Sequence, residues 1–338
     1  MPADFGYINA RVRGLKSRLL GAEFYNEALN ATDFGAFTSA LSQSPYMRDV
    51  EEAQAQHSGL QMVDEAITRN FRRTTQGILG FSDGSPEALI SIFLLRYDLN
   101  NLKAIARAKH AGREVEDIRE ALLPAGRLKP AVLDTIAAAP DLPGAAQSLA
   151  VTKHPLASSF TRAVSQYSSE GDLFGLELSL DRAYYRVILD ILDANPHPQQ
   201  LERHLQLEID AVNIRTALKV RGRQGASGDL YIPGGREVSR GDFERLSAEA
   251  SKEALQPLST TSFSEVADAE TLSGAEEAIR TVIDQSAKRL YLRDPLNIGV
   301  VLHFLRLKEV ETARLRLLAR GKFYGVPRRQ LEQELGHG

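Results

Sequence analysis

A chain of 338 residues with 43% apolar and 25% charged residues has the composition of an ordinary globular protein, long enough to bury a large core. It has no cysteine, which excludes disulfides, thiolate metal sites, iron–sulfur clusters and thiol catalysis. With 41 Lys+Arg against 44 Asp+Glu the formal charge is −3, so there is no basic excess for nucleic acid, and no apolar run approaches the about 20 residues of a spanning helix.

The N-terminus carries no basic segment followed by an apolar core, so no signal peptide is expected and the protein is read as soluble and cytoplasmic. Ala, Leu, Glu, Arg and Gln dominate, and no sustained period-2 alternation appears, which predicts an all-α fold. The first landmarks are Tyr7, Asn9, Arg11 and Arg13, then Leu41 followed by Ser44. A long helix is predicted from Ser85, as cap, through Ala111, with Pro86 at the first helical position and Gly112 at the stop. Leu89, Ile92, Phe93, Leu95, Leu99, Leu102, Ile105 and Ala106 give it an amphipathic stripe.

This segment recurs. Pro198 opens a second Gly- and Pro-free run, and Pro295 opens a third broken only by Gly299. Asp98, Asn101 and Lys103 in the first copy match Asp210, Asn213 and Arg215 in the second, and Glu309, Thr312 and Arg314 in the last. Leu41, Leu149 and Leu258 lie 108 and 109 residues apart, and Pro124 to Gly126 repeats as Pro233 to Gly235, 109 residues on. Tetratricopeptide and HEAT units are far shorter, about 34–47 residues. The spacing predicts three related helical units, at 1–84, 85–197 and 198–338, within one compact body spanning 1–338. The last long helix should close against the truncated first unit.

No catalytic constellation is legible. The cluster Gly222, Gly225, Gly228 lacks the strand–loop–helix setting of a nucleotide loop and reads as surface. No histidine pair stands at i, i+4, and no Gly-x-Ser-x-Gly elbow occurs. No cofactor or metal is called for. Asp98, Asp210 and Glu309 could meet at a repeat axis as a carboxylate cage, but three buried carboxylates repel one another without a cation. The alternative is that each bonds a neighbouring helix or the Asn three residues on. Basic residues at the long-helix ends fit the helix dipole. On residues alone a helical scaffold and, less favoured, an enzyme with a carboxylate site remain open.

Asp4 to Arg13, Leu95 to Lys103, Glu208 to Lys219, Asp294 to Leu302 and Ala313 to Gly321 together resemble, in order and over residues 4 to 335, the C subunit of bacterial and archaeal V/A-type ATPases. The eukaryotic counterpart in that family is the d subunit. The Glu309–Thr312 copy departs from the Asp-x-x-Asn pattern. The resemblance implies a funnel of three similar helical bundles about a pseudo-three-fold axis. It implies a non-catalytic central-stalk adaptor, present once per complex at the cytoplasmic face of the membrane. Such an adaptor docks the central rotor shaft onto the membrane rotor ring and couples rotation to ion translocation, with protons the expected ion. It touches the membrane only through the ring and binds no nucleic acid. Asp98, Asn101, Lys103, Asp210, Asn213, Arg215, Glu309 and Arg314 are then candidates for shaping the funnel or tying its bundles together.

Overall fold

The computed structural model describes residues 4–222, 228–248, 253–294 and 296–336, and no strand occurs among them. The all-α expectation holds. A short α1 (Gly6–Lys16) precedes α2 (Ala22–Asn30), α3 (Phe34–Ser42), α4 (Met47–Gln54) and the longer α5 (Gly59–Gly80). The first long helix, α6 (Gly84–His110), leads to α7 (Val115–Ala121), α8 (Pro130–Ala138), α9 (Leu142–Ala150), α10 (Ala157–Glu170) and α11 (Leu173–Ala194). The second, α12 (Gln199–Val220), leads to α13 (Arg240–Ala248), α14 (Ser264–Asp268) and α15 (Leu272–Arg293), with 3-10 turns at Gly228–Leu230 and Glu253–Leu258. The third, α16 (Gly299–Phe323), leads to α17 (Arg328–Gly336). Pro295 and residues 223–227, the interior of the glycine-rich cluster, lie outside the described residues.

Helix α6 starts earlier than the sequence suggests. Gly84 takes φ +55°, a left-handed entry that glycine adopts cheaply, so Ser85 sits inside the helix and does not cap it. Pro86 still falls in the first turn, where its missing N–H costs nothing. The stop is as expected. Gly112 is left-handed at φ +63°, and the N–H groups of Gly112 and Arg113 return to the carbonyls of Lys109 and Ala108. At 27 residues the helix is about 40 Å long. The expected one-sided stripe is a correction: every residue from Leu89 to Leu95 is buried, as are Tyr97, Asp98 and Leu99. A helix enclosed by neighbours has no wet face from Leu89 to Leu95, and over the next turn only Arg96 stays half-exposed.

Helices α2–α5, α7–α11 and α13–α15 form three groups, and each long helix lies along the last helix of one group: α6 on α11, α12 on α15, and α16 on α5. All three pairs are antiparallel, as the cross-helix links Lys103–Asp181 and Arg107–Glu177, His204–Ser286 and Arg215–Glu276, and Arg316–Thr68 and Arg320–Asp64 show. Apolar burial follows the same division. Phe37, Leu41, Val63 and Ile67 of the first group enclose Leu315, Leu318 and Ala319 of α16. Ala211, Ile214 and Ala217 of α12 pack with Phe243, Phe263 and Ile279. The largest cluster holds α6 with α8–α11 and also takes in Leu201, Leu205 and Ile209 of α12 and Val301, Phe304 and Leu305 of α16. The N-terminal halves of α12 and α16 thus converge on α6, and their C-terminal halves part into separate cores. At the α15–α16 turn the backbones nearly touch, since a Cβ on Gly299 would stand 2.5 Å from the Leu290 carbonyl oxygen. No helix among the described residues is long and apolar enough to cross a membrane.

Candidate functional site

Where α6, α12 and α16 converge, they enclose with α11 and α15 a concavity of about 700 Å³. Its walls are charged, and most of the charges are engaged between helices. Arg96 of α6 donates to Glu208 of α12, and the Tyr97 hydroxyl of α6 donates to Glu309 of α16. Arg215 of α12 pairs with Glu276 of α15 at 2.7 Å, and Arg306 of α16 with Asp284 of α15 at 3.3 Å. These four links close a polar ring around the opening. Burial pushes the Glu208 carboxyl up, but the Arg96 guanidinium, then His204, pull it below the usual range. Glu208 in turn holds Arg96 well above its ordinary value, against burial. Burial holds His204 below its ordinary value, with Glu208 opposing.

Farther along the long helices a second arrangement occurs three times. Asp98 accepts from the backbone N–H of Arg127 (2.7 Å) and Leu128 (3.1 Å), and from His154 Nε2 at 3.1 Å. Asp210 accepts from the N–H groups of Arg236, Glu237 and Val238 at 2.9–3.1 Å. Glu311 accepts from Leu20 N–H (2.6 Å), the Tyr46 hydroxyl (2.7 Å) and Lys308 Nζ (2.5 Å). Leu20, Leu128 and Val238 each stand two residues before the first residue of α2, α8 and α13. Each buried acid therefore binds three donors and fixes the loop that starts its group.

The loop contents explain two sequence landmarks. Asn101 clamps Leu123 through both backbone groups at 2.8 Å, and Asn213 clamps Ile232 likewise at 2.8 Å. Asp and Asn thus hold different ends of one loop and do not bond each other. Gly126 and Gly235 are required by the closeness of the carboxylates, since an added Cβ would lie 2.1 Å from Asp98 Oδ1 and 2.0 Å from Asp210 Oδ1.

The spaced leucines mark a turn. The hydroxyls of Ser44, Thr152 and Thr261 donate to the carbonyls of Leu41, Leu149 and Leu258. Each then accepts the N–H two residues on, from Tyr46, His154 or Phe263. Tyr46 and His154 reach Glu311 and Asp98. Phe263 has no donor, and Asp210 takes a third backbone N–H instead. His154 Nδ1 accepts from Leu156 N–H, so the ring proton is on Nε2, facing Asp98. Replacing His154 by Phe, the natural occupant of the third turn, should cost about 1–3 kcal/mol through the lost bonds to Asp98 and Leu156. Chemical denaturation would measure it, and an unchanged midpoint would contradict the assignment.

The register of the third copy is a correction. By contacts the equivalent of Asp98 and Asp210 is Glu311, two residues beyond Glu309. Glu309 instead faces the concavity and holds Tyr97. The basic residue five beyond each acid ties its helix to the last helix of its group: Lys103 to Asp181, Arg215 to Glu276, and Arg316, not Arg314, to Asp64. Arg314 lies over the Tyr25 ring, its guanidinium carbon 5.7 Å from the centroid. The three acids are held by three separate loops, and among the described residues no group of His, Cys, Asp and Glu could hold a metal ion. Spacing alone does not reveal Tyr46, His154, Arg96 or Lys308, although the constant Leu–Ser/Thr offset points at the first two.

Burial pushes the Asp210 carboxyl up to about 6, with the N–H groups of Glu237, Arg236 and Val238 opposing. A carboxyl whose folded value exceeds its unfolded one binds its proton more tightly when folded. Its contribution is therefore fullest below about pH 4 and is lost as pH rises through about 6, by roughly 3 kcal/mol in all. The stability difference between wild type and Asp210→Asn should shrink by about that amount from pH 4 to 7. A pH-independent difference would count against it.

Comparison with known proteins gives the family of this chain. The family model for "ATP synthase (C/AC39) subunit" matches residues 8–334. The C subunit of the V-type ATP synthase of Deinococcus radiodurans is 37% identical, covering 99% of this chain and 92% of its own. Its counterpart from Thermus thermophilus is 36% identical over 99% of both chains, and the C subunit of the A-type ATP synthase of Archaeoglobus fulgidus is 27% identical over 98% of this chain and 96% of its own. Acid clamps, Asn-held loops and long helices therefore belong to a chain matched almost end to end, and the protein is a member of the ATP synthase (C/AC39) subunit family.

Proposed function

We propose that this chain is the non-catalytic central-stalk adaptor of a V/A-type rotary ATP synthase. It sits at the cytoplasmic face of the membrane, receives the tip of the rotor shaft and docks it onto the membrane rotor ring. It thereby couples rotation to ion translocation. The three helix groups act as three like bundles about a pseudo-axis, with units near 1–84, 85–197 and 198–338 and the third long helix returning to the first unit.

The observation that carries this reading is the concavity of about 700 Å³ formed where the three long helices converge. A part that transmits torque must be stiff and must hold two partners. Long antiparallel helix pairs, each locked at its middle by a buried acid with three donors, supply stiffness. The concavity supplies a socket with charged walls, suited to a polar chain segment. Asp98, Asn101, Lys103, Asp210 and Asn213 tie helices and loops within their groups, whereas Arg215 and Glu309 lie in the socket wall.

Affinity isolation of the tagged chain after mild solubilisation tests the proposal. Shaft and ring components of the ATP synthase should co-purify. Recovery of the chain without either would overturn it.

A further inference from the structure

On the far side of α11 from α6, the groove between α10 and α11 has features that the coupling role leaves unused. It has a volume of about 150 Å³, room for roughly five waters, and is lined by Arg162, Arg182, Arg186, Ser159, Ser179 and Gln166 among its polar side chains. Among the described residues no carboxylate lines it. Arg162 and Arg186 are exposed and make no ion pair among the described residues, while Arg182 donates to the Tyr231 carbonyl. The hydroxyls of Ser159 and Ser179 are half-buried and have no hydrogen-bond partner among the described residues. Three guanidiniums and two unused hydroxyls thus face one small space. Burial pushes the Arg182 guanidinium below its ordinary range; Asp229 opposes this and the charges of Arg240 and Arg186 add to it.

Arg162, Arg182 and Arg186 line one groove, and an anion standing among them would relieve the repulsion of their like charges. Guanidiniums offer paired N–H donors that match the oxygens of a phosphate, and serine hydroxyls complete a tetrahedral shell. Arg182 and Arg186 also line a second, adjoining groove of about 720 Å³, whose wall includes Leu189, Ile232 and Pro233. That larger groove carries Asp190 and Asp229, which would repel a second phosphate.

We propose that the α10–α11 groove is an oxyanion site for a single phosphate group, with the adjoining groove receiving an apolar body attached to it. The shared chemistry is that of a phosphate ester, whether a soluble one or the headgroup of an anionic lipid. The site is independent of the socket between the long helices.

The test uses the full chain and the double variant R162A/R186A. Both arginines are exposed, so the variant should melt as wild type does in buffer free of phosphate. Calorimetry with inorganic phosphate, at ionic strength fixed with chloride, is run beside flotation with phosphatidylcholine vesicles with and without phosphatidylglycerol. Saturable phosphate binding that falls about tenfold or more in the variant supports the site and points to a soluble ester. Flotation only with the anionic vesicles, lost in the variant, supports it and assigns a lipid headgroup. No response to either probe, or equal binding by wild type and variant, overturns it.

Discussion

Replacing Glu311 with alanine should destabilise the protein by about 3–5 kcal/mol, because it leaves the Lys308 ammonium buried without its carboxylate. Lys308 is only 5% exposed, and its remaining partner would be the Tyr46 hydroxyl at 2.9 Å. Burial already pushes this ammonium below its ordinary value, with Glu311 opposing. Leu20 N–H and Tyr46 would lose their acceptor as well. The loss should be local: α16 is the helix that closes the first group, so hydrogen exchange should quicken in α2–α5 and in the C-terminal half of α16 before elsewhere. Pairing Lys308→Met with Glu311→Gln removes the charge and keeps an acceptor, and should restore most of the stability. Denaturant midpoints of the two variants decide the point. Equal losses in both would show that the ion pair is not the cause.

A single methyl group should have nearly as large an effect at Gly126 or Gly235. Alanine at either position places Cβ about 2 Å from a carboxylate oxygen that three donors hold in place. Neither acid can withdraw without leaving buried N–H groups unpaired, so each substitution should cost about 3 kcal/mol. Gly77, inside α5, provides the contrast. Nothing lies within 4 Å of a Cβ there, and alanine should stabilise the helix by roughly 0.5–1 kcal/mol. Thermal unfolding of the three variants would show opposite signs. A neutral Gly126→Ala would mean that the clamp is not tight.

Much of this architecture is visible without coordinates. Helical composition and the break at Gly112 mark α6, because local backbone preferences are written in single residues. The offsets of 108 and 109 residues locate the recurring turns because each needs a hydroxyl residue three positions after a leucine. What the sequence hides is what depends on long-range packing. Pattern alone puts the third acid at Glu309, whose neighbours fit the repeat, whereas Glu311 is the one that meets Leu20, some 290 residues away. Asp98 and Asn101 share a helix face, which suggests a pair, yet the loop at 123–128 comes between them and takes both. The amphipathic stripe of α6 misleads for a related reason, since enclosure by other helices is set by topology rather than by period.

The central claim is that the concavity between the long helices holds the rotor shaft. Because the chain has no cysteine, one introduced thiol labels one place when the isolated chain is modified before assembly. Glu277 is exposed on the concavity wall, and Val151 is 84% exposed and outside it. In the assembled ATP synthase, Glu277→Cys carrying a short photo-crosslinker should yield an adduct with the rotor shaft, and Val151→Cys should yield none. Shaft adducts from both positions, or from neither, would contradict it.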